Sequence, residues 1–129
     1  MRFFTSFLII SQFIACSTSK KVVPNIPVIT FDENMQDIVT LERGESHTLF
    51  FDFTNTGSQD LVIDLVTACK CTELDWPRTP VAPGEKGQIK VVFDSTSMEI
   101  GEIIKTVDII ANTDPLVVEA KFKANIVAP

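Results

Sequence analysis

The sequence predicts an all-β chain, an immunoglobulin-like antiparallel β-sandwich of about seven strands preceded by a signal peptide and a tether. Three observations predict it. Apolar residues recur with period two in short runs, the pattern of strands with one buried face. Clusters of Gly, Pro, Asn and Asp separate those runs, as turns do. Val and Ile are abundant, and ten Phe stand beside one Trp and no Tyr, a bias toward strand. The 129 residues make one domain of ordinary size. They divide into a signal peptide (1–15), a tether that starts at a cysteine (16–27) and the sandwich (28–129).

In chain order, Arg2 opens the sequence and an apolar run extends from Phe3 to Ile14. That run is shorter than the roughly 20 residues a membrane span needs, so it reads as a secretory signal. It ends Phe13-Ile14-Ala15-Cys16, which looks like the cleavage site of bacterial lipoproteins, with Phe13 where Leu is usual. Cys16 is then the expected site of lipidation, and several acyl chains on one cysteine hold a protein to a membrane stably. Ser17 to Pro27, with its Ser, Lys and Pro residues, reads as an extended tether. Strands follow at Val28–Phe31 and Ile38–Leu41, with a turn over Glu42-Arg43-Gly44-Glu45.

The stretch Phe50–Thr72 reads as a β-hairpin. Leu49, Phe51 and Phe53 share one face of its first strand, His47–Thr54. Asn55-Thr56-Gly57-Ser58 forms the turn, and Leu61, Ile63 and Leu65 share a face of its second strand, Asp60–Thr67. Ala68–Pro83 holds Pro77, Pro80 and Pro83 and is expected to be irregular, since proline removes a ladder donor. After the turn Pro83-Gly84-Glu85-Lys86-Gly87, the run Gln88–Asp94 places Ile89, Val91 and Phe93 on one face. Ser95–Gly101 is a loop, Glu102–Ala111 a strand and Asn112-Thr113-Asp114-Pro115 a turn. In the last strand, Leu116–Val127, Val118, Ala120, Phe122, Ala124 and Ile126 oppose Glu119, Lys121 and Lys123.

Charge and residue types exclude several functions. A formal net charge of −6 is a poor match for nucleic acid, where basic residues supply most of the affinity. His47 is the only histidine and no Ser/His/Asp arrangement is evident, so acid–base catalysis would fall on carboxylates, among which no pair stands out. No Gly-rich phosphate loop is present, and Asp32, Glu33 and Asp37 lack the spacing of a calcium loop. The expectation is therefore a protein that is not an enzyme, with no catalytic residue, no metal site, no cofactor and no small-molecule substrate in evidence.

Four pieces stand in order: Phe51-Asp52-Phe53-Thr54-Asn55-Thr56-Gly57, Cys69-Lys70-Cys71-Thr72, Pro83-Gly84-Glu85 and Gly101-Glu102-Ile103-Ile104-Lys105-Thr106. Together they resemble the bacterial Ig-like family known as domain of unknown function 1573 (DUF1573), over roughly Ile38 to Ala124. The resemblance implies a secreted protein or lipoprotein of the kind frequent in Bacteroidetes-like bacteria. It also implies kinship with sandwich domains that bind other proteins, such as periplasmic chaperones. The family motif has Gly between its cysteines. Lys70 occupies that place here, and Lys does not share glycine's freedom to take positive φ.

Cys69 and Cys71 are the one constellation that carries chemistry. An even pair of thiols in an oxidising compartment suggests a disulfide. Residues two apart on a strand have Cα atoms about 6.6 Å apart, at the edge of disulfide reach, so a bond requires a bend. Three readings stay open: a local structural disulfide or two semi-buried thiols at a strand end, an exchangeable disulfide with a redox role, and a soft-metal site for Cu(I) or Zn(II). Lys70, Thr72 and Trp76 are candidate contact residues, as are the strand edges. The function expected is a lipid-anchored module, in the outer membrane or periplasm, that binds an envelope protein or cell-wall component. Thiol-redox or copper handling through Cys69 and Cys71 is the alternative, and a spacer without a specific partner is a third.

Overall fold

Eight strands and no helix make up the residues that the structure, a computed structural model, describes, namely 10–15, 17–18 and 22–129. Cys16 and most of the expected signal peptide lie outside them. The strands are β1 (Ile29–Phe31), β2 (Met35–Glu42), β3 (Ser46–Asn55), β4 (Ile63–Thr67), β5 (Thr72–Asp75), β6 (Lys86–Asp94), β7 (Gly101–Ala111) and β8 (Val117–Val127). They form two four-stranded sheets, ordered β1-β3-β6-β5 and β2-β8-β7-β4.

The core lies between the sheets and is built from the alternation visible in the sequence. Phe51 and Phe53 of β3, Ile89, Val91 and Phe93 of β6, Val107 and Ile109 of β7, and Ala120, Phe122, Ala124 and Ile126 of β8 are all buried. Phe93 meets Phe122 edge-to-face across the sandwich, with ring centroids 5.2 Å apart, a favoured aromatic geometry. Phe31 of β1 closes the side of this core edge-on to Phe51 and Phe53.

The structure corrects the sequence reading in four places. First, the stretch Phe50–Thr72 is not a hairpin, because β3 and β4 belong to different sheets. Period two reports that a strand has one buried face, not which strand lies beside it. The connection is long enough to change layers, and the buried Leu61 anchors it by bridging to Val81. Second, the β4–β7 register shifts between Ile63 and Leu65. That bulge turns Ile63 and Val66 inward and leaves Leu65 44% exposed, because one extra residue reverses the facing of all that follow. Third, the segment expected to be irregular contains β5. It is an edge strand on β6 that ends before Pro77, so the prolines do not interrupt it. Fourth, the sandwich is mixed rather than antiparallel throughout, since β2 pairs with β8 in parallel.

Asn55 ends β3 and is completely buried. Its side-chain oxygen accepts from the N–H groups of Val28 (3.2 Å) and Gly57 (3.0 Å). Its amide nitrogen donates to the carbonyls of Gln59 (2.8 Å) and Val81 (2.9 Å). An Asn side chain has two donors and two acceptor lone pairs, so its capacity is filled. Gly57 is fitted beneath the incoming chain. A Cβ there would come within 2.8 Å of Pro27 Cα and 2.7 Å of Val28 N, and backbone of that kind cannot give way cheaply. The ordered contacts reach back to Pro24, ahead of the expected domain start at Val28, since Ser58 Oγ donates to its carbonyl at 2.7 Å.

Asn55→Ala removes the partner of four backbone groups at once and is expected to lower stability by about 3–5 kcal/mol. Gly57→Ala is expected to cost about 2–4 kcal/mol. Urea unfolding checks both, each midpoint falling while the denaturant slope stays unchanged.

Candidate functional site at the Cys69–Cys71 junction

The chain leaves β4 at Thr67 and reaches the opposite sheet at Thr72. Four residues, Ala68 to Cys71, make that crossing. Cys69 and Cys71 are joined by a disulfide, with Cα atoms 5.1 Å apart, well inside the extended spacing of about 6.6 Å. Thr72 makes the bend that allows it. Both its backbone N–H (3.1 Å) and its hydroxyl (2.7 Å) donate to the carbonyl of Cys69. Lys70 sits exposed at the apex. Among the described residues positive φ occurs only at Gly44, Gly84 and Gly101, so this bend does not require the glycine that the resembled motif carries. The carbonyl of Cys71 accepts from Asp94 N–H at 2.8 Å, and Ala68 and Cys71 pack against the core. The disulfide thus braces the point where the chain changes sheets.

Beside it lies a shallow hollow of about 290 Å³ whose lining includes Lys70, Cys71, Glu73 and Asp94. The Thr96 hydroxyl, then the Thr96 backbone N–H, hold the Asp94 carboxyl below its ordinary range, at 2.5 and 2.9 Å. The hydroxyl of Thr72 is engaged in the bend. Trp76 is half-buried and packed against the core, its indole N–H is buried without a partner, and the Arg78 guanidinium lies 3.5 Å from its ring centre. The indole therefore caps the core, with its outer face covered by a cation. Of the three candidate contact residues, only Lys70 is fully open to solvent.

His47 does not join this group. Phe93 is the ladder partner of both His47 and Thr72, on opposite sides, which separates His47 from the bend by about two strand spacings, or 10 Å. Among the described residues, no group of three or more His, Cys, Asp or Glu side chains could hold a metal ion. The sulfurs, bonded to each other, offer no thiolate ligands.

A second surface was missed from sequence because its register cannot be read there. On the outer face of the β2-β8-β7-β4 sheet, Leu65, Ile110 and Val117 stand in one row across three adjacent strands. Val62 and Leu116 are also exposed, in the connections just before β4 and β8. The signal that could have found the row is the adjacent apolar pair Leu65-Val66, which breaks the two-residue repeat where the bulge in β4 turns Leu65 outward.

Replacing both Cys69 and Cys71 with Ser is expected to leave the fold intact and cost roughly 1.6 kcal/mol, the chain-entropy value for so small a loop, checked by denaturant unfolding. The Asp94 shift has a defined sign. A carboxyl lowered by folding stabilises the native state above the ordinary carboxylate range, and that contribution is lost as pH falls through its folded value. Thr96→Val is expected to return the Asp94 carboxyl toward its ordinary value and flatten this acid limb, as followed by an NMR pH titration.

Solved structures share this architecture. A protein of unknown function from Porphyromonas gingivalis W83 superposes with a TM-score of 0.67 and 22% identity, over 81% of this chain and 49% of that one. This chain thus spans about half the length of that protein. The ASH/PapD-like domain 7 of human CEP192 matches with a TM-score of 0.65 at 8% identity, over 92% and 98% of the two chains. The periplasmic chaperone SfaE matches with a TM-score of 0.53 at 11% identity, over 79% and 61%. At such identities the likeness is one of fold. No curated protein matches the sequence. Residues 29–126 match the family model described as "Protein of unknown function (DUF1573)", and the chain belongs to that family.

Proposed function

We propose that this chain is a lipid-anchored protein of the bacterial cell envelope whose sandwich is a binding module and not an enzyme. The anchor rests on sequence: Cys16 directly follows the small Ala15 at the end of the apolar run. Among the described residues the first domain hydrogen bond is at Pro24, so the segment from Cys16 to that point reaches at most roughly 28 Å. Such a tether keeps the sandwich close to the membrane, with the Asn55 end facing the attachment point.

The observation that carries the binding reading is the row in which exposed Leu65 and Val117 flank a half-buried Ile110. Contiguous apolar surface on the solvent face of a sheet marks interaction sites, and a neighbouring envelope protein or wall component is the partner within reach of a short tether. The fold shared with a periplasmic chaperone agrees with this reading at the level of architecture alone. A thiol-exchange reading has one observation of its own, the exposed Lys70 between the two sulfurs. Once the bond is opened by a partner thiolate, a cation there favours the departing Cys thiolate.

Cys16→Ser is expected to move the protein from the membrane fraction to the soluble fraction of the cells that make it, with loss of palmitate labelling. Leu65→Lys combined with Val117→Lys is expected to cut recovery of the crosslinked partner at least about tenfold, as for loss of central apolar contacts. The double Cys-to-Ser variant is expected to retain that partner. If instead only the cysteine variant loses it, thiol exchange is the function. If wild-type protein crosslinks to no specific partner, the domain is a spacer.

A further inference from the structure

The two sheets do not cover each other equally along their N-terminal side. β2 joins β8 only from Met35, opposite Lys121. Residues Val117–Ala120 therefore pair with β7 on one side and, among the described residues, have no strand on the other. The chain that would continue β2 in that direction turns away through Asp32–Asn34 and belongs, as β1, to the opposite sheet. β1 is itself an edge among the described residues, paired there only with β3. The two open edges line a groove in two stretches, of about 490 and 630 Å³. The stretches share Ile29, Val118 and Glu119 and so form one channel.

Backbone parity shows what the edges offer. Lys121 N–H donates to the carbonyl of Asn34 at 2.7 Å, so the odd-numbered residues of β8 present their backbone groups on this side. Glu119 and Val117, two and four positions earlier, present theirs the same way. On β1, the carbonyl of Val28 and the N–H of Asp32 are bonded to Thr56 and Asp52. Even residues therefore face β3, and Ile29 and Phe31 turn theirs outward. These are the groups to which an added strand bonds.

Charge selects the strand. Asp32, Glu33, Asp114 and Glu119 line the channel, and among the described residues no Lys, Arg or His does. Between the carboxylates lie Ile29, Phe31 and Val118. We infer that the β1–β8 groove is a strand-addition site for an extended, basic segment of a partner protein, one in which cationic and β-branched residues alternate. The segment pairs its backbone with Val117 and Glu119, sets its apolar side chains toward the core side and holds its cations against the carboxylates. The same four carboxylates discourage a second copy of this acidic chain from pairing at the edge. This inference deepens the binding-module reading and rests on it, and the groove adjoins the exposed apolar row at Val117.

The test uses the full chain, isotope-labelled, titrated with a short alternating lysine–valine peptide and with its glutamate–valine counterpart. The lysine peptide is expected to shift the amides of Ile29, Phe31 and Val117–Glu119 and to slow hydrogen exchange at Val117 and Glu119. The glutamate peptide is expected to do neither. Asp32→Lys with Glu119→Lys, both exposed positions, is expected to weaken the lysine peptide roughly tenfold, the scale of reversing two surface ion pairs. Methylating alternate peptide nitrogens, which removes the donors but keeps the charges, is expected to abolish the protection. Equal binding by the methylated peptide overturns strand addition. Shifts confined to the Cys69–Trp76 face, or no shift with either peptide, overturn the groove as the site. A concentration-dependent dimer that protects the same amides without peptide overturns the assignment in favour of a second copy. If the groove fails while the Leu65/Val117 variant still loses its crosslinked partner, the binding module stands and only this inference falls.

Discussion

Everything at one end of the sandwich depends on a single buried amide. Asn55 sits where β3 stops, the incoming chain begins β1 and the connection toward the opposite sheet departs. Its side chain touches the backbone of Val28, Gly57, Gln59 and Val81, and its own N–H and carbonyl bond to Glu85 and Gly84. Polar backbone that converges at the end of a core must find partners or lose free energy. One residue with two donors and two acceptors meets that need where neither a strand nor water can. The loops can then be short of regular structure yet fixed in place, and the groove walls at Val28–Ile29 inherit that fixity.

The other end of the same β3–β6 ladder is closed in the same way with a smaller group. Ser95 is also completely buried. Its hydroxyl accepts from Gly44 N–H at 3.0 Å and faces the carbonyls of Glu42 (3.1 Å) and Glu45 (2.7 Å). Gly44 takes φ of 103° there, which is open to glycine at little steric cost. Between these two polar plugs the core is aromatic and aliphatic, and the disulfide adds a third restraint at the crossing from β4 to β5. The sandwich is held by burial along its length and by polar closure at its ends.

The sequence shows clearly what depends on facing and poorly what depends on neighbours. The inward sets of β3, β6, β7 and β8 are legible because a two-residue repeat is a local property. The partner of β4 is not, because the same repeat serves a hairpin and a crossover equally well. The parallel pairing of β2 with β8 leaves no local trace, since it joins segments from nearly opposite ends of the domain. β5 is short and carries Glu73 and Asp75 on its outer face beside a proline cluster, so its strand character is drowned by its surroundings. At the candidate site, the cysteine pair and the need for a bend can both be read from sequence. The means of bending, two hydrogen bonds from Thr72 to one carbonyl, cannot. Asn55 reads as a turn residue, whereas it ends β3, and its burial depends on Val81, far along the chain.

The placement of β8 has a consequence for how the molecule is made. It is the last strand of the sandwich in sequence order, yet it lies inside its sheet, flanked by β2 and β7. Until β8 is present, β2 has no partner in that layer and the faces of Phe93 and Val107 have no Phe122 against which to pack. Contacts so distant in sequence form late, because the loop they close must be ordered first. A partly emerged chain therefore holds no finished sandwich. For a domain exported as proposed above, this timing is useful: the polypeptide stays loose enough to be threaded through a narrow channel, and the sandwich locks only when β8 arrives on the far side.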